Sequence, residues 1–163
     1  MTVRKFCVMV LLALPITITA TAQERDPFLP SAKTIYGELG GPGVLSLNYD
    51  QRFKGEKGLG FRIGIGGLSV VLAGIFTIPV GINYLDGADG HYFELGAGLS
   101  GFTAYNGSDF FKIRNSTLIG YFTLGYRYQP EKTGFTGRIF VSPLITPGGF
   151  YPIYGGISVG KRL

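Results

Sequence analysis

The stretch that decides the fold is Val44-Leu-Ser-Leu-Asn-Tyr-Asp-Gln-Arg-Phe53. Apolar and polar residues alternate along it, with Leu45, Leu47, Tyr49 and Phe53 in one register and Ser46, Asn48, Asp50 and Arg52 in the other. Because a β-strand points successive side chains to opposite faces, this pattern predicts a strand with one apolar and one polar face.

The same period of two recurs in seven further stretches of the chain. They are residues 34–40, 58–66, 75–85, 91–101, 117–129, 134–144 and 153–163. Eight strands is an even number, and most are close to the 9–11 residues that a tilted membrane strand needs. The pattern therefore predicts an all-β fold, an eight-stranded antiparallel up-and-down transmembrane β-barrel.

The polar faces of these strands carry charges of both signs. They are Glu38, Asp50, Arg52, Arg62, Glu94, Arg127, Arg138 and Arg162. The interior of an eight-stranded barrel is just wide enough to be filled by side chains, so opposite charges there would pair. We expect a structural charge network that plugs the interior, with the apolar face turned to lipid. The alternative is a soluble lipocalin-like barrel whose core is the apolar face.

The lengths of the links predict how the barrel is oriented. The links at 54–57, 86–90 and 130–133 are compact, whereas 102–116 and 145–152 are longer, and 67–74 is expected to be an apolar loop. Short periplasmic turns and long outer loops put both termini in the periplasm. Outward aromatic residues gather at the short-turn end, as in a membrane-interface girdle: Phe53, Phe61, Tyr84, Phe93, Tyr126, Tyr128 and Phe135.

The first residues read as a targeting segment. Arg4 and Lys5 precede an apolar run at 6–14 that is too short to span a bilayer, and Ala20-Thr21-Ala22 has the form of a cleavage site. We expect a cleaved signal peptide at 1–22, a short periplasmic tether at 23–32 and the barrel at 33–163. Cys7 lies within the signal peptide, so the mature chain would hold no disulfide.

Two segments resemble a known family. Tyr36-Gly-Glu-Leu-Gly-Gly-Pro-Gly-Val, continuing to Phe53, is similar to the opening hairpin of small bacterial outer-membrane β-barrel domain proteins. Tyr154-Gly-Gly-Ile-Ser-Val-Gly-Lys-Arg-Leu163 resembles their last strand. The resemblance implies an OmpX- or OmpA-like barrel that the barrel assembly machinery inserts into the outer membrane.

Little in the sequence points to catalysis. The single histidine, His91, follows a predicted periplasmic turn and is followed by Tyr92 and Phe93, so it forms no His-x-Ser motif. We expect no enzyme, no cofactor and no metal site. The lead hypothesis is a plugged outer-membrane barrel with a structural or surface-interaction role. A narrow porin-like channel is the alternative, and a lipid A-modifying enzyme comes third.

The link at 102–116 mixes aromatic and charged residues and is a candidate surface-recognition loop. Its candidate residues are Phe102, Tyr105, Asp109, Phe110, Phe111 and Lys112. The alternative is an interfacial girdle with a solvated tip. Expected partners are outer-membrane lipid and lipopolysaccharide, with no nucleic acid. The net charge of +5 falls to a mild +3 (5 − 2) without Arg4 and Lys5, and no Lys/Arg-rich run occurs. We expect a monomer.

Overall fold

The protein is nearly all sheet in the computed structural model, which describes residues 31–70, 73–106 and 115–163. In these ranges a short 3₁₀ turn, Gly41–Gly43, accompanies ten strands. The strands are β1 (Lys33–Gly40), β2 (Leu45–Arg52), β3 (Gly58–Val70), β4 (Ala73–Ala88), β5 (His91–Asn106), β6 (Asn115–Tyr128), β7 (Gly134–Val141), β8 (Leu144–Thr146), β9 (Gly149–Tyr151) and β10 (Gly155–Arg162).

The strands close into a barrel of eight. The sheet runs in the order β5-β4-β3-β2-β1-β10-β7-β6, and β5 also pairs with β6, so the ring has no open edge at this level. Every neighbouring pair is antiparallel. The short strand β8 continues the ladder that β7 makes with β6, after an interruption at Ser142 and Pro143. The predicted eight-stranded antiparallel barrel is confirmed.

The strand register fixes the tilt of the barrel. From Glu38 the pairing leads one way through Ser46, Gly66, Thr77 and Phe102 to Thr117 on β6. It leads the other way through Ser158 and Arg138 to Arg127, ten residues further along β6. With a rise of about 3.3 Å per residue and a strand spacing of about 4.8 Å, this stagger tilts the strands by about 40°.

The two faces of the barrel are the reverse of those of a soluble protein. Apolar side chains on the outer face are exposed, as in Leu47 (58 %), Leu95 (48 %) and Ile139 (61 %). Charged side chains on the inner face are buried, and Arg52 and Glu94 are fully inaccessible. Phe140, which breaks the polar pattern of its strand, also lies inside the barrel and is buried.

Four strands are longer than the sequence pattern indicated. We expected an apolar loop at 67–74, but β3 continues to Val70 and β4 begins at Ala73. The expected loop at 102–116 is likewise shortened, since β5 reaches Asn106 and β6 begins at Asn115. The expected link at 145–152 holds the hairpin of β8 and β9. The wall formed by β3 to β6 therefore rises well above the rim at β1 and β2.

The link between β1 and β2 folds into the barrel rather than standing above it. Gly41, Pro42 and Gly43 are all buried. The Pro42 carbonyl accepts a hydrogen bond of 2.8 Å from Ser100 Oγ, and the Gly43 carbonyl accepts one of 3.0 Å from Thr77 Oγ1. Positive φ angles at Gly40 (81°) and Gly41 (66°) let the chain turn inward. This turn therefore lies within the lumen, at the end of the barrel opposite the short turns.

Candidate functional site: the interior charge network

Seven of the eight predicted interior charges form one alternating chain across the lumen. Asp50 pairs with Arg52 and with Arg127, Glu94 with Arg127 and Arg138, and Glu38 with Arg138 and Arg62. The N–O distances are 2.7 Å for Arg52–Asp50, 3.2 Å for Arg127–Asp50, 2.9 Å for Arg127–Glu94, 2.8 Å for Arg138–Glu94 and 3.1 Å for Arg62–Glu38. These side chains are at most 2 % exposed.

A neutral amide contacts each end of this row of ion pairs, Asn83 at Arg52 and Asn48 at Arg62. Asn83 donates through Nδ2 to Asp50 Oδ2 at 2.5 Å and to Glu94 Oε1 at 3.2 Å, and its own oxygen accepts a hydrogen bond from Arg52. Asn48 accepts from Arg62 NH2 at 2.8 Å. The period of two puts both asparagines on the polar face of their strands, but it gives no sign that they belong to the network.

An aromatic ring lies at the centre of the network. Tyr36 is buried, and the guanidinium carbons of Arg138, Arg62 and Arg127 lie 4.8, 5.8 and 5.9 Å from its ring centre. The face of an aromatic ring attracts cations, and it does so more strongly when both are desolvated. The network of ion pairs contains four arginines and three carboxylates, so it carries a surplus positive charge. The Tyr36 ring offsets part of this charge.

Glycines on the inner face make room for a second buried tyrosine. Tyr121 lies across Gly81 and Gly98, and a Cβ atom at either glycine would stand 2.5 Å from the Tyr121 hydroxyl oxygen. That hydroxyl donates a hydrogen bond of 3.1 Å to the Val80 carbonyl. Side chains therefore fill the width of the lumen.

Arg162, the eighth predicted member, belongs to a separate cluster at the short-turn end. It pairs with Glu56 from the link between β2 and β3, and it donates to the Pro130 carbonyl. Burial raises the pKa of the Glu56 carboxyl above its ordinary value, although Arg162 acts to lower it. The sequence pattern did not predict Glu56 as an interior residue. It lies in a turn, where the alternation of inward and outward side chains along a strand does not apply.

The two glutamates of the interior are both engaged in ion pairs. Glu38 and Glu94, which could be imagined as a catalytic carboxylate pair, are each held by two arginines and are 1 % and 0 % exposed. A buried ion network of this kind leaves no space beside the carboxylates for a substrate. Among the described residues there is no cluster of His, Cys, Asp and Glu able to hold a metal ion.

His91 lies at the short-turn end of β5, where the sequence placed it. Its Nδ1 shares a hydrogen bond with the Tyr126 hydroxyl, and its ring packs against Tyr126 and Tyr128 with centroid distances of 6.0 and 5.4 Å. The side chain is exposed on the outer face. It is one of a group of outward aromatic rings at this end of the barrel.

The candidate surface-recognition residues have mixed outcomes. Phe102 was expected in a loop, but it lies in β5. Its side chain is on the face that points into the barrel mouth, and it is half-buried. The backbone of Tyr105 also belongs to β5. Asp109, Phe110, Phe111 and Lys112 lie outside the described residues, as do the predicted signal peptide 1–22 and most of the tether 23–32.

The parts of the chain that the structure describes contain no helix long and apolar enough to cross a bilayer.

The closed, tilted ring of eight antiparallel strands around a side-chain core defines a small β-barrel protein. Among solved structures, the N-terminal β-barrel domain of OprF from Pseudomonas aeruginosa is similar, with a TM-score of 0.60 and 14 % sequence identity. The match covers 83 % of this chain and 98 % of that domain. No family model matches the chain, and no curated protein matches it. The likeness to the OprF domain is therefore one of fold.

Proposed function

We propose that this chain is an integral, non-catalytic protein of a bacterial outer membrane with a sealed barrel. One observation carries the proposal: the exposed face is apolar around the whole ring, while the charges are buried inside. In water such a surface would be a large aggregation-prone patch, because soluble monomers rarely expose more than a few hundred Å² of contiguous apolar area. In lipid it is the ordinary outer face of a barrel, and closure satisfies the backbone groups.

The outward apolar band has the height that a membrane requires. On β6 it runs from Leu118 to Tyr128, which at the tilt given above spans about 25 Å along the barrel axis. Aromatic rings lie at its short-turn end, where Phe53, Phe93 and Phe135 are 50–62 % exposed. This end is proposed to face the periplasm together with both termini, following export on the signal peptide 1–22.

The test of membrane insertion is the gel mobility of the refolded protein. We expect a heat-modifiable band, with the unboiled sample running differently from the boiled one, after refolding into phosphatidylcholine vesicles. We also expect the folded form to stay with the vesicles after carbonate extraction. A single mobility, with the protein released into the supernatant, would contradict the proposal.

A sealed lumen is supported by the burial of the network and of the inward turn Gly41–Gly43. It distinguishes the proposal from the narrow-channel alternative. In planar bilayers we expect no stable conductance steps above the baseline set by protein-free membranes. Stable steps from the heat-modifiable form would establish the channel instead.

A surface-interaction role is proposed for the tall wall of the barrel. Residues 67–70 of β3 extend past Gly66, the last residue that pairs with β2. Among the described residues, β6 above Gly120 has a partner only in β5. These edges carry free backbone donors and acceptors that could pair with an extended segment of another protein.

Lipid A modification is tested by comparing the mass of lipid A from cells with and without the protein. An unchanged mass is expected.

A further inference from the structure

The tall strands carry large apolar side chains on their inner face above the rim. Within the barrel the inner face is polar, as at Thr77 and Ser100. Above it, alternation along the same strands puts four large apolar residues on the inner face, beside Thr117, and several small or polar residues on the outer face. The inner residues are Leu68, Ile75, Phe102 and Ile119, and the outer ones are Ser69, Gly74, Thr103 and Ser116.

These four inner residues form an apolar cup directly above the inward turn. Thr77 pairs with Phe102 and Ser100 pairs with Ile119, and Thr77 and Ser100 are the residues that hold the turn Gly41–Gly43. The turn is therefore the floor of the cup. Leu68 is 51 % exposed, and the other three side chains are half-buried, so the cup is open and its surface is not covered by the described chain.

The cup lies level with the uppermost part of the outward apolar band. Phe76 and Leu118 are the outward neighbours of Ile75 and Ile119 on the same strands, and they are 39 % and 62 % exposed. On the opposite side the wall is much lower. There β1 ends at Gly40 and β2 begins at Leu45.

The apolar surface of the cup is continuous with the outer face of the barrel across this low rim. Leu39 and Leu45 point outward just below the rim, with 61 % and 52 % exposure. Leu68 stands at the adjoining edge of β3, beyond the end of the β2 ladder. A hydrocarbon chain moving from the lipid-facing surface into the cup would thus stay on apolar surface.

We propose that the apolar cup binds one acyl chain of a membrane lipid, which reaches it sideways over the low rim. The inference rests on the membrane location proposed above. The described residues around the cup and its rim, 39–47, 66–77, 100–106, 115–121 and 144–155 without the gap at 71–72, include no charged side chain. They offer no ion pair to a charged peptide, whereas burial of the methylene groups of an acyl chain against apolar side chains is favourable.

The absence of tryptophan from the chain allows a direct test. A single Trp is introduced by Phe102→Trp in the cup, by Phe76→Trp on the outward face at the same height, or by Phe140→Trp inside the sealed lumen. Each variant is refolded in phosphatidylcholine vesicles and in vesicles whose acyl chains are brominated at the double bond. Bromine quenches tryptophan on contact, so the loss of emission reports an acyl chain beside the ring.

We expect the emission loss of Phe102→Trp to match that of Phe76→Trp, while Phe140→Trp loses little. Adding Ile75→Glu to Phe102→Trp puts a carboxylate beside the ring and should reduce the loss to the level of Phe140→Trp, because burial of an unpaired charge is costly. Ser69→Glu adds the same charge to the outward face of the same hairpin and should leave the loss unchanged.

Three results would overturn the proposal. The first is red-shifted emission from Phe102→Trp without quenching, which would show a cup filled with water. The second is blue-shifted emission without quenching, which would assign the cup to a protein segment or a second copy of the chain. The third is quenching that Ile75→Glu does not reduce. Heat-modifiable mobility of each variant is measured in parallel, so loss of membrane insertion is distinguished from an empty cup.

Discussion

Asp50 is the residue on which the short-turn half of the interior depends most. It accepts from Arg52, Arg127 and Asn83, and it is 1 % exposed. Loss of its charge would leave the buried Arg52 guanidinium without its carboxylate and Arg127 with Glu94 alone. Removal of one partner from a buried ion pair costs far more than the pair itself contributes, because the remaining charge is still desolvated.

We expect Asp50→Asn to lower the free energy of unfolding by about 3–5 kcal/mol. The measurement is the urea midpoint of the protein refolded in vesicles, followed by gel mobility. Asp86→Asn is the matched control, since Asp86 is exposed, and it should change stability by less than about 0.5 kcal/mol. Equal effects of the two substitutions would show that the interior network is solvated.

Gly98 tests how tightly side chains fill the lumen. A Cβ atom there would stand 2.5 Å from the Tyr121 ring and hydroxyl, and it would also collide with the Val80 carbonyl. Gly98→Ala should therefore destabilise the barrel by about 1–3 kcal/mol through overpacking. Gly101, on the same strand, has nothing within 4 Å of a Cβ atom, so Gly101→Ala should be near neutral. The measurement is the urea midpoint of unfolding of both variants. An unchanged midpoint for Gly98→Ala would indicate a loosely filled lumen.

At the scale of elements, the faces of the strands could be predicted and the lengths of four of them could not. A period of two is a local property, so it placed Glu38, Arg127 and the other network residues on the inner face. The prediction made strands β3 to β6 too short because apolar residues also occupy the inner face near Gly66 and Thr103, where the expected alternation fails. The pairings within the network depend on strand register and tilt, which no local pattern contains.

The inward turn Gly41–Gly43 shows the same limit. Its position depends on hydrogen bonds to Ser100 and Thr77, which are 58 and 34 residues away from their partners in the chain. The sequence pattern puts this link between the first two predicted strands, 34–40 and 44–53. It gave no sign that the link would fold inside.

Ser100→Ala should weaken the closure made by this turn. Ser100 is fully buried, so the substitution leaves the Pro42 carbonyl short of a partner and should cost about 1–3 kcal/mol. Ser69→Ala, at an exposed site on the neighbouring hairpin, is the control and should have no measurable effect. The urea midpoints of the two variants are compared. A neutral Ser100→Ala would mean that the turn does not depend on this bond.

At the scale of the whole molecule, the reversed faces make a prediction that separates lipid from water. Leu124 lies near the middle of the outward apolar band, and Leu59 lies at its short-turn end; they are 44 % and 53 % exposed. An arginine at the bilayer midplane of a barrel costs about 2–4 kcal/mol, and near the interface about 0–1 kcal/mol. In water, an exposed Leu→Arg substitution at either place would be nearly neutral.

We therefore expect Leu124→Arg to lower the unfolding free energy of the vesicle-inserted protein by about 2–4 kcal/mol and Leu59→Arg by at most about 1 kcal/mol. Both variants replace a leucine with an arginine, so the difference between their stabilities reports the depth of the site in the bilayer. Reversible urea unfolding in vesicles measures it. If both variants are as stable as the parent protein, the apolar face lies in water and the membrane assignment is wrong. If both lose stability equally, the band is not placed with Leu124 near the midplane.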